Sequence, residues 1–282
     1  MFPCGGEIVS FLRINANNIN AINEHDMLFI GGGELLSNSD ILKQITSNEI
    51  KIPYAFLSVG IGNDNDLVPF IDKLRPLFWS VRSRYGLNIL RRLEIKNAFF
   101  LDDPIFSCPI EESGRMDRIA LCLKRIHKSE EWISLMARGL DDLLSEGIAV
   151  DLVSLSNQDM HPIEYCKEQI FVSDCNDEIL ALQINSLMKN KAGIVTYRGD
   201  NPLEFLNILA SYRSIVSERL HGILAAYHAQ VPFKAISYHS KINKFINTYN
   251  LEEKLISDYP EDICNHIREL YKEARGGLKE SA

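Results

Sequence analysis

Short apolar, β-branched runs that end in glycine or a polar turn, each followed by a stretch of helical periodicity, recur along this 282-residue chain. That alternation constrains the fold more than any other feature. A strand buried on both faces reads as a continuous apolar run, and strands separated by helices are joined by crossovers, which makes the sheet parallel. In the first half, strands are expected at 27–30, 54–59, 79–82 and 98–101, with helices at 37–45, 68–78 and 84–93. In the second half, strands are expected at 118–123, 149–155, 194–197, 213–217 and 234–237. Helices there are expected at 130–146, 178–189, 203–210, from Leu220 onward, and from 241 to 249. The stretch 109–117, with proline, glycine and charge but few apolar residues, reads as a linker. The fold class is therefore α/β, with two Rossmann-like domains at 1–112 and 113–282. Neither repeats nor low-complexity tracts are visible.

The segment from Ser211 to Phe245 carries the densest chemistry. Ile215 and Val216 suit the end of a buried strand, while Leu220, Ile223, Leu224 and Tyr227 recur at helical spacing. Arg219 and His221 fall at the junction. In a parallel α/β sheet this is the carboxyl edge, where ligands bind, beside unpaired N–H groups and the positive end of the helix dipole. A guanidinium there can hold a carboxylate or phosphate through paired hydrogen bonds, and an imidazole can move a proton near neutral pH. The same spacing also suits an exposed arginine and a histidine that only caps or packs. Glu218 either pairs with its neighbour Arg219 or takes protons from a bound hydroxyl. Asp103 reads as a turn residue before Pro104, and His228, two helical turns past His221, as helix surface or packing. His161 and His239 have no partner that the sequence identifies.

Arg219-Leu220-His221-Gly222 after a strand, then Val231-Pro232-Phe233, an apolar strand, Tyr238 and Lys241, resembles the C-terminal signature of the polysaccharide pyruvyl transferase family. Upstream, Phe29-Ile30-Gly31-Gly32-Gly33-Glu34-Leu35-Leu36 and Leu57-Ser58-Val59-Gly60-Ile61-Gly62 resemble that family's glycine turns. Ser80-Val81-Arg82 and Asp102-Asp103-Pro104 resemble its "SVR" and "DP" elements. The resemblance implies a GT-B-like pair of Rossmann-like domains facing a cleft, acceptor side first and donor side second. It implies transfer of a pyruvyl group from phosphoenolpyruvate to two hydroxyls of a sugar or lipid-linked oligosaccharide, as a cyclic ketal, during surface-polysaccharide assembly. His221 is then the general acid, with Arg219, Arg82, Gly222, Tyr238 and Lys241 around the donor. Gly31, Gly32, Gly33, Gly60 and Gly62 form turns beside the cleft. Family members usually open with a strand and an Asn-x-Gly-Asp-like loop, which is expected to be missing here, where only Gly5-Gly6-Glu7 precedes an apolar run.

Composition narrows the alternatives. A net charge of −8 without a basic cluster argues against nucleic acid as a partner. The six cysteines show no CxxC spacing, so reduced thiols are expected rather than a zinc site or a disulfide framework. No segment approaches the roughly 20 apolar residues of a membrane span. A cytoplasmic enzyme is expected, touching the inner face of the membrane only through its acceptor. No cofactor is expected and no metal is required, since arginines can meet the donor's charge. Two other functions fit the same architecture: a nucleotide-sugar glycosyltransferase and a non-catalytic scaffold. Against the first, the sole acidic metal-type motif is Asp64-Asn65-Asp66. Intact Arg219 and His221 argue against the second. Oligomeric state has no sequence signature here.

Overall fold

The computed structural model describes residues 18–31, 35–37, 39–47, 49–62, 64–111, 114–125, 128–155, 176–197, 201–237 and 240–276. The chain divides into two compact units, Met1–Pro104 and Ile105–Ala282.

In the first unit, α1 (Ile19–Ile22) leads to β1 (Leu28–Gly31), α2 (Ser39–Thr46), β2 (Tyr54–Val59), α3 (Asp64–Leu67), β3 (Trp79–Val81), α4 (Arg84–Arg92) and β4 (Ala98–Phe100). The strands form one parallel sheet in the order β1-β2-β3-β4. One sheet face buries Ile30, Phe56 and Trp79 against Leu42, Leu67 and Leu90, with the Phe56 and Trp79 rings 4.7 Å apart. Ser83 caps α4, its hydroxyl accepting from the Gly86 N–H at 3.0 Å. The helix expected at 68–78 does not form: a single 3-10 turn at Val68–Phe70 ends it. Pro69 and Pro76 explain this, because each lacks a backbone N–H and Pro76 disfavours a helical Arg75. The expected loss of an opening strand falls on residues outside those described.

The second unit runs β5 (Met116–Cys122), α5 (Glu130–Ser145), β6 (Val150–Ser154), α6 (Asp177–Leu187), β7 (Gly193–Thr196), α7 (Pro202–Ala210), β8 (Tyr212–Ser217) and α8 (Leu220–His228). It continues with β9 (Phe233–Ile236), α9 (Ser240–Tyr249), β10 (Leu255–Ile256) and α10 (Pro260–Gly276). All six strands are parallel, in the order β10-β9-β8-β5-β6-β7. Starting from the central β5, the chain first winds outward through β6 and β7, then returns to β8 and winds the other way, the doubly wound Rossmann pattern. Side chains of β5 serve both faces: Ile119 and Leu121 pack with α5, α6 and α10, whereas Ala120 and Cys122 pack with α7, α8 and α9. Ile105, Phe106 and Cys108 already pack on this unit, so the division lies upstream of the composition shift at 109–117. The Phe106 ring lies 5.9 Å from Tyr227 and 5.9 Å from Tyr249, and His228 Nε2 donates to the Cys108 carbonyl at 2.8 Å. His228 is thus a packing residue.

Candidate functional site

The winding of the second sheet reverses between β5 and β8, and in open α/β sheets the crevice outside the carboxyl ends at such a point takes the ligand. Cys122 and Ser217 pair across these two strand ends. After Ser217 the chain turns sharply into α8. The Ser217 hydroxyl donates to the Arg219 carbonyl at 2.8 Å and accepts from the Arg219 N–H at 3.0 Å, which fixes the turn. Arg219 itself is the N-cap residue, with extended backbone. Gly222 is buried beneath: a Cβ there would run into the Ser217 hydroxyl and stand 3.1 Å from a Leu155 methyl. Its small size lets α8 approach β8, so the residue serves packing.

One carboxylate organises this edge. Asp177, the first residue of α6, is 3 % exposed and takes the Arg219 guanidinium in a two-pronged ion pair, Nε to Oδ2 at 2.8 Å and Nη2 to Oδ1. It also accepts the backbone N–H groups of Arg125, past the end of β5, and Leu155, past the end of β6. A single side chain therefore ties the loops after three strands, β5, β6 and β8. Burial pushes the Asp177 carboxyl up despite Arg219 and these hydrogen bonds, which favour its charged form. The fork to Asp177 spends one edge of the Arg219 guanidinium and leaves its remaining N–H donors for a ligand. A cavity of about 10 Å³ behind Asp177, among Leu121, Leu152, Leu180 and Ile184, is at the limit for one water and too small for a substrate.

A second carboxylate lies beside the first. Glu218, 1 % exposed, accepts from the Lys124 N–H at 2.8 Å and from Lys128 Nζ at 3.1 Å. Lys128 also reaches Asp258 at 2.5 Å and lies 4.3 Å from the centre of the Trp132 ring. Glu218 therefore pairs with Lys128 rather than with its neighbour Arg219. Burial, its largest influence, pushes its carboxyl up, and it has no solvent-facing surface from which to serve an acceptor. The sequence hides both pairings because Arg219 and Asp177 lie 42 residues apart and Glu218 and Lys128 lie 90 apart. A retrospective signal exists: Lys124, Arg125 and Lys128 crowd directly after the β5 apolar run.

His221 stands exposed in the first turn of α8, and Lys241 half-buried in the first turn of α9. In the first unit, the motif residues gather at the carboxyl ends of β2, β3 and β4. Arg82 is held by Asp103 at 2.7 Å, so Asp103 does more than turn the chain. Ser58 is fully buried with φ +51°, an αL conformation that costs a non-glycine residue about 1–3 kcal/mol. Its N–H donates to Ser80 Oγ at 2.8 Å and its hydroxyl to the Asp102 carbonyl at 3.0 Å, which hold it there. Gly31 ends β1 close against the Leu57 carbonyl, which a Cβ there would meet at a tight 3.2 Å, and Gly60 and Gly62 follow β2. Gly32, Gly33, Tyr238, His161 and His239 lie outside the described residues. Among the described residues, no cluster of three His, Cys, Asp or Glu side chains is arranged for a metal, and no helix is long and apolar enough to cross a membrane. Among the described residues, Cys108, Cys122 and Cys264 are in no disulfide, and burial pushes Cys122 and Cys264 up to about 12.

Several solved structures share this architecture. The S. aureus MnaA–UDP complex superposes with a TM-score of 0.57 at 12% identity, over 94% of this chain and 72% of that one. UDP-GlcNAc 2-epimerase from Neisseria meningitidis, bound to UDP-GlcNAc, gives 0.56 at 12% identity over 92% and 74%. The Methanocaldococcus jannaschii UDP-GlcNAc 2-epimerase complexed with UDP-GlcNAc and UDP gives 0.55 at 13% identity over 90% and 72%. At such identities the likeness concerns the fold alone. No curated protein sequence matches the chain.

Two parallel Rossmann-like sheets, the second with cationic side chains at its switch point, define an α/β protein of the GT-B-like class. Within that class the sequence model of the polysaccharide pyruvyl transferases matches residues 6–240. The chain belongs to that family.

Proposed function

We infer that this protein moves a pyruvyl group from phosphoenolpyruvate to two hydroxyls of one sugar, forming a cyclic ketal. The observation that carries the reading is Arg219, held by Asp177 at the switch point two residues before the exposed His221. The donor bears a carboxylate and a phosphate, which suits fixed guanidinium donors. Protonation of its methylene carbon makes the adjacent carbon electrophilic, and His221 is the general acid for that step. One acceptor hydroxyl adds to that carbon, phosphate leaves, and the second hydroxyl closes the ring. Arg82 is the first unit's candidate cation, with Lys241 a further donor contact. The reaction invokes neither metal nor cofactor. The acceptor is a sugar of a surface polysaccharide or of its lipid-linked precursor, met at the cytoplasmic face of the membrane.

The test is the melting midpoint of the purified protein with phosphoenolpyruvate, with UDP and without ligand, since a ligand of the native state raises it. Arg219→Ala alone is a poor control. It strands a buried Asp177 charge, at a cost of about 3–5 kcal/mol for breaking such a pair. Arg219→Lys, which keeps the charge and loses the fork, belongs beside it. A rise with phosphoenolpyruvate that shrinks in Arg219→Lys supports the reading, whereas a response to UDP alone would put a nucleotide-sugar glycosyltransferase in its place. With an acceptor found, His221→Ala is expected to melt like the wild type and turn over roughly 10²–10⁴-fold more slowly. Full turnover in that variant would return His221 to a structural role.

A further inference from the structure

We propose that Arg125 is a second guanidinium of the donor site, binding the ligand's phosphate or carboxylate together with Arg219. The proposal deepens the pyruvyl-transfer reading and rests on it for the identity of the donor.

Arg125 follows β5 in the loop that flanks the switch point, as Arg219 follows β8 on the other side. Asp177 joins the two, because the carboxylate that grips the Arg219 side chain also accepts the Arg125 N–H. Glu218 stitches the same pair of loops a second time, through the Lys124 N–H and through its own N–H to the Cys122 carbonyl at 2.8 Å. The Arg125 backbone is therefore as firmly placed as that of Arg219. Their side chains differ. Arg219 has its carboxylate, and Lys128 in the same loop has two, whereas Arg125 Nη1 is buried with no hydrogen-bond partner among the described residues. A buried cationic donor without a partner is costly, and proteins retain few of them. An anion at the switch point supplies what is missing. Two guanidiniums on neighbouring loops suit a ligand with two anionic groups, such as phosphoenolpyruvate, better than a neutral sugar.

This assignment predicts an unusual pairing of effects. Arg125→Met removes a guanidinium whose Nη1 is buried without a partner among the described residues, and is expected to melt at or above the wild-type midpoint in the absence of ligand. The same change is expected to weaken phosphoenolpyruvate binding about tenfold or more, the value of one charge-assisted hydrogen bond. Arg125→Lys should fall between them.

The experiment is calorimetric titration and thermal melting of the full chain, as wild type, Arg125→Met and Arg125→Lys, with phosphoenolpyruvate and with inorganic phosphate. Tenfold weaker binding in Arg125→Met at an undiminished midpoint supports the assignment. Binding of phosphate but not phosphoenolpyruvate, lost in Arg125→Met, would sink the pyruvyl-transfer reading and still support Arg125 as an anion ligand. Wild-type affinity in Arg125→Met overturns the assignment and leaves that reading standing. Unfolding of both variants assigns the guanidinium to the fold, and no response of the wild type to either anion overturns both ideas.

Discussion

Asp177 does at residue scale what a whole loop often does elsewhere. Its carboxylate is charged when it holds Arg219, yet burial raises its pKa above the ordinary 3.8. The folded protein therefore takes up a proton at Asp177 at a pH where the unfolded chain has not, and by linkage that proton uptake stabilises the fold as pH falls. Ligand binding moves the opposite way, because protonation removes the charge that fixes the Arg219 fork. Asp177→Asn isolates the effect. Denaturant unfolding from about pH 7 down to about pH 4 should show the wild type gaining stability relative to Asp177→Asn, while wild-type affinity for phosphoenolpyruvate declines. A stability difference that shrinks on acidification would mean that the carboxyl's pKa is not raised. The opposed signs also separate loss of the site from loss of the fold.

At the scale of elements, the sequence carried most of what the backbone needs. β2 and α4 are plain in it because a run that is apolar but for Ser58 and a capped amphipathic stretch each have one good solution. The helix at 68–78 failed because its apolar periodicity is broken by two prolines, a local veto that periodicity does not weigh. Arg219 and His221 were legible because strand and helix signals meet at them. Asp177 was not, because it begins a helix in another crossover and meets Arg219 only once β8 returns beside β5. Arg82 and Asp103 were visible as separate motifs, and their ion pair appears only when β3 and β4 align. The junction of β8 and α8 gives its own test. Gly222→Ala must push a methyl group into Ser217 and Leu155, and overpacking of this kind costs about 1–3 kcal/mol. Urea unfolding would measure it, together with a weaker response to phosphoenolpyruvate as α8 shifts Arg219 and His221. A neutral Gly222→Ala would show that the turn yields without cost.

For the whole molecule, alternation of strand and helix was enough to foresee two parallel α/β units. It did not locate their division. Composition falls at 109–117, but the compact units part between Pro104 and Ile105, because Phe106 finds its ring partners at Tyr227 and Tyr249, far along the chain. Such long-range packing leaves no periodic trace. The residues that lead into the second unit thus act as its hydrophobic plug. The boundary matters to anyone wishing to transplant that unit, or to express it without its partner. A fragment 105–282 carries the plug with it and should stay monodisperse in size-exclusion chromatography. A fragment 113–282 leaves the rings of Tyr227, Phe245 and Tyr249 uncovered, and with them a surface prone to aggregation. Equal behaviour of the two would show that the plug is ornamental; a difference would make the unit portable only with four residues that composition assigns to its neighbour, Ile105 to Cys108.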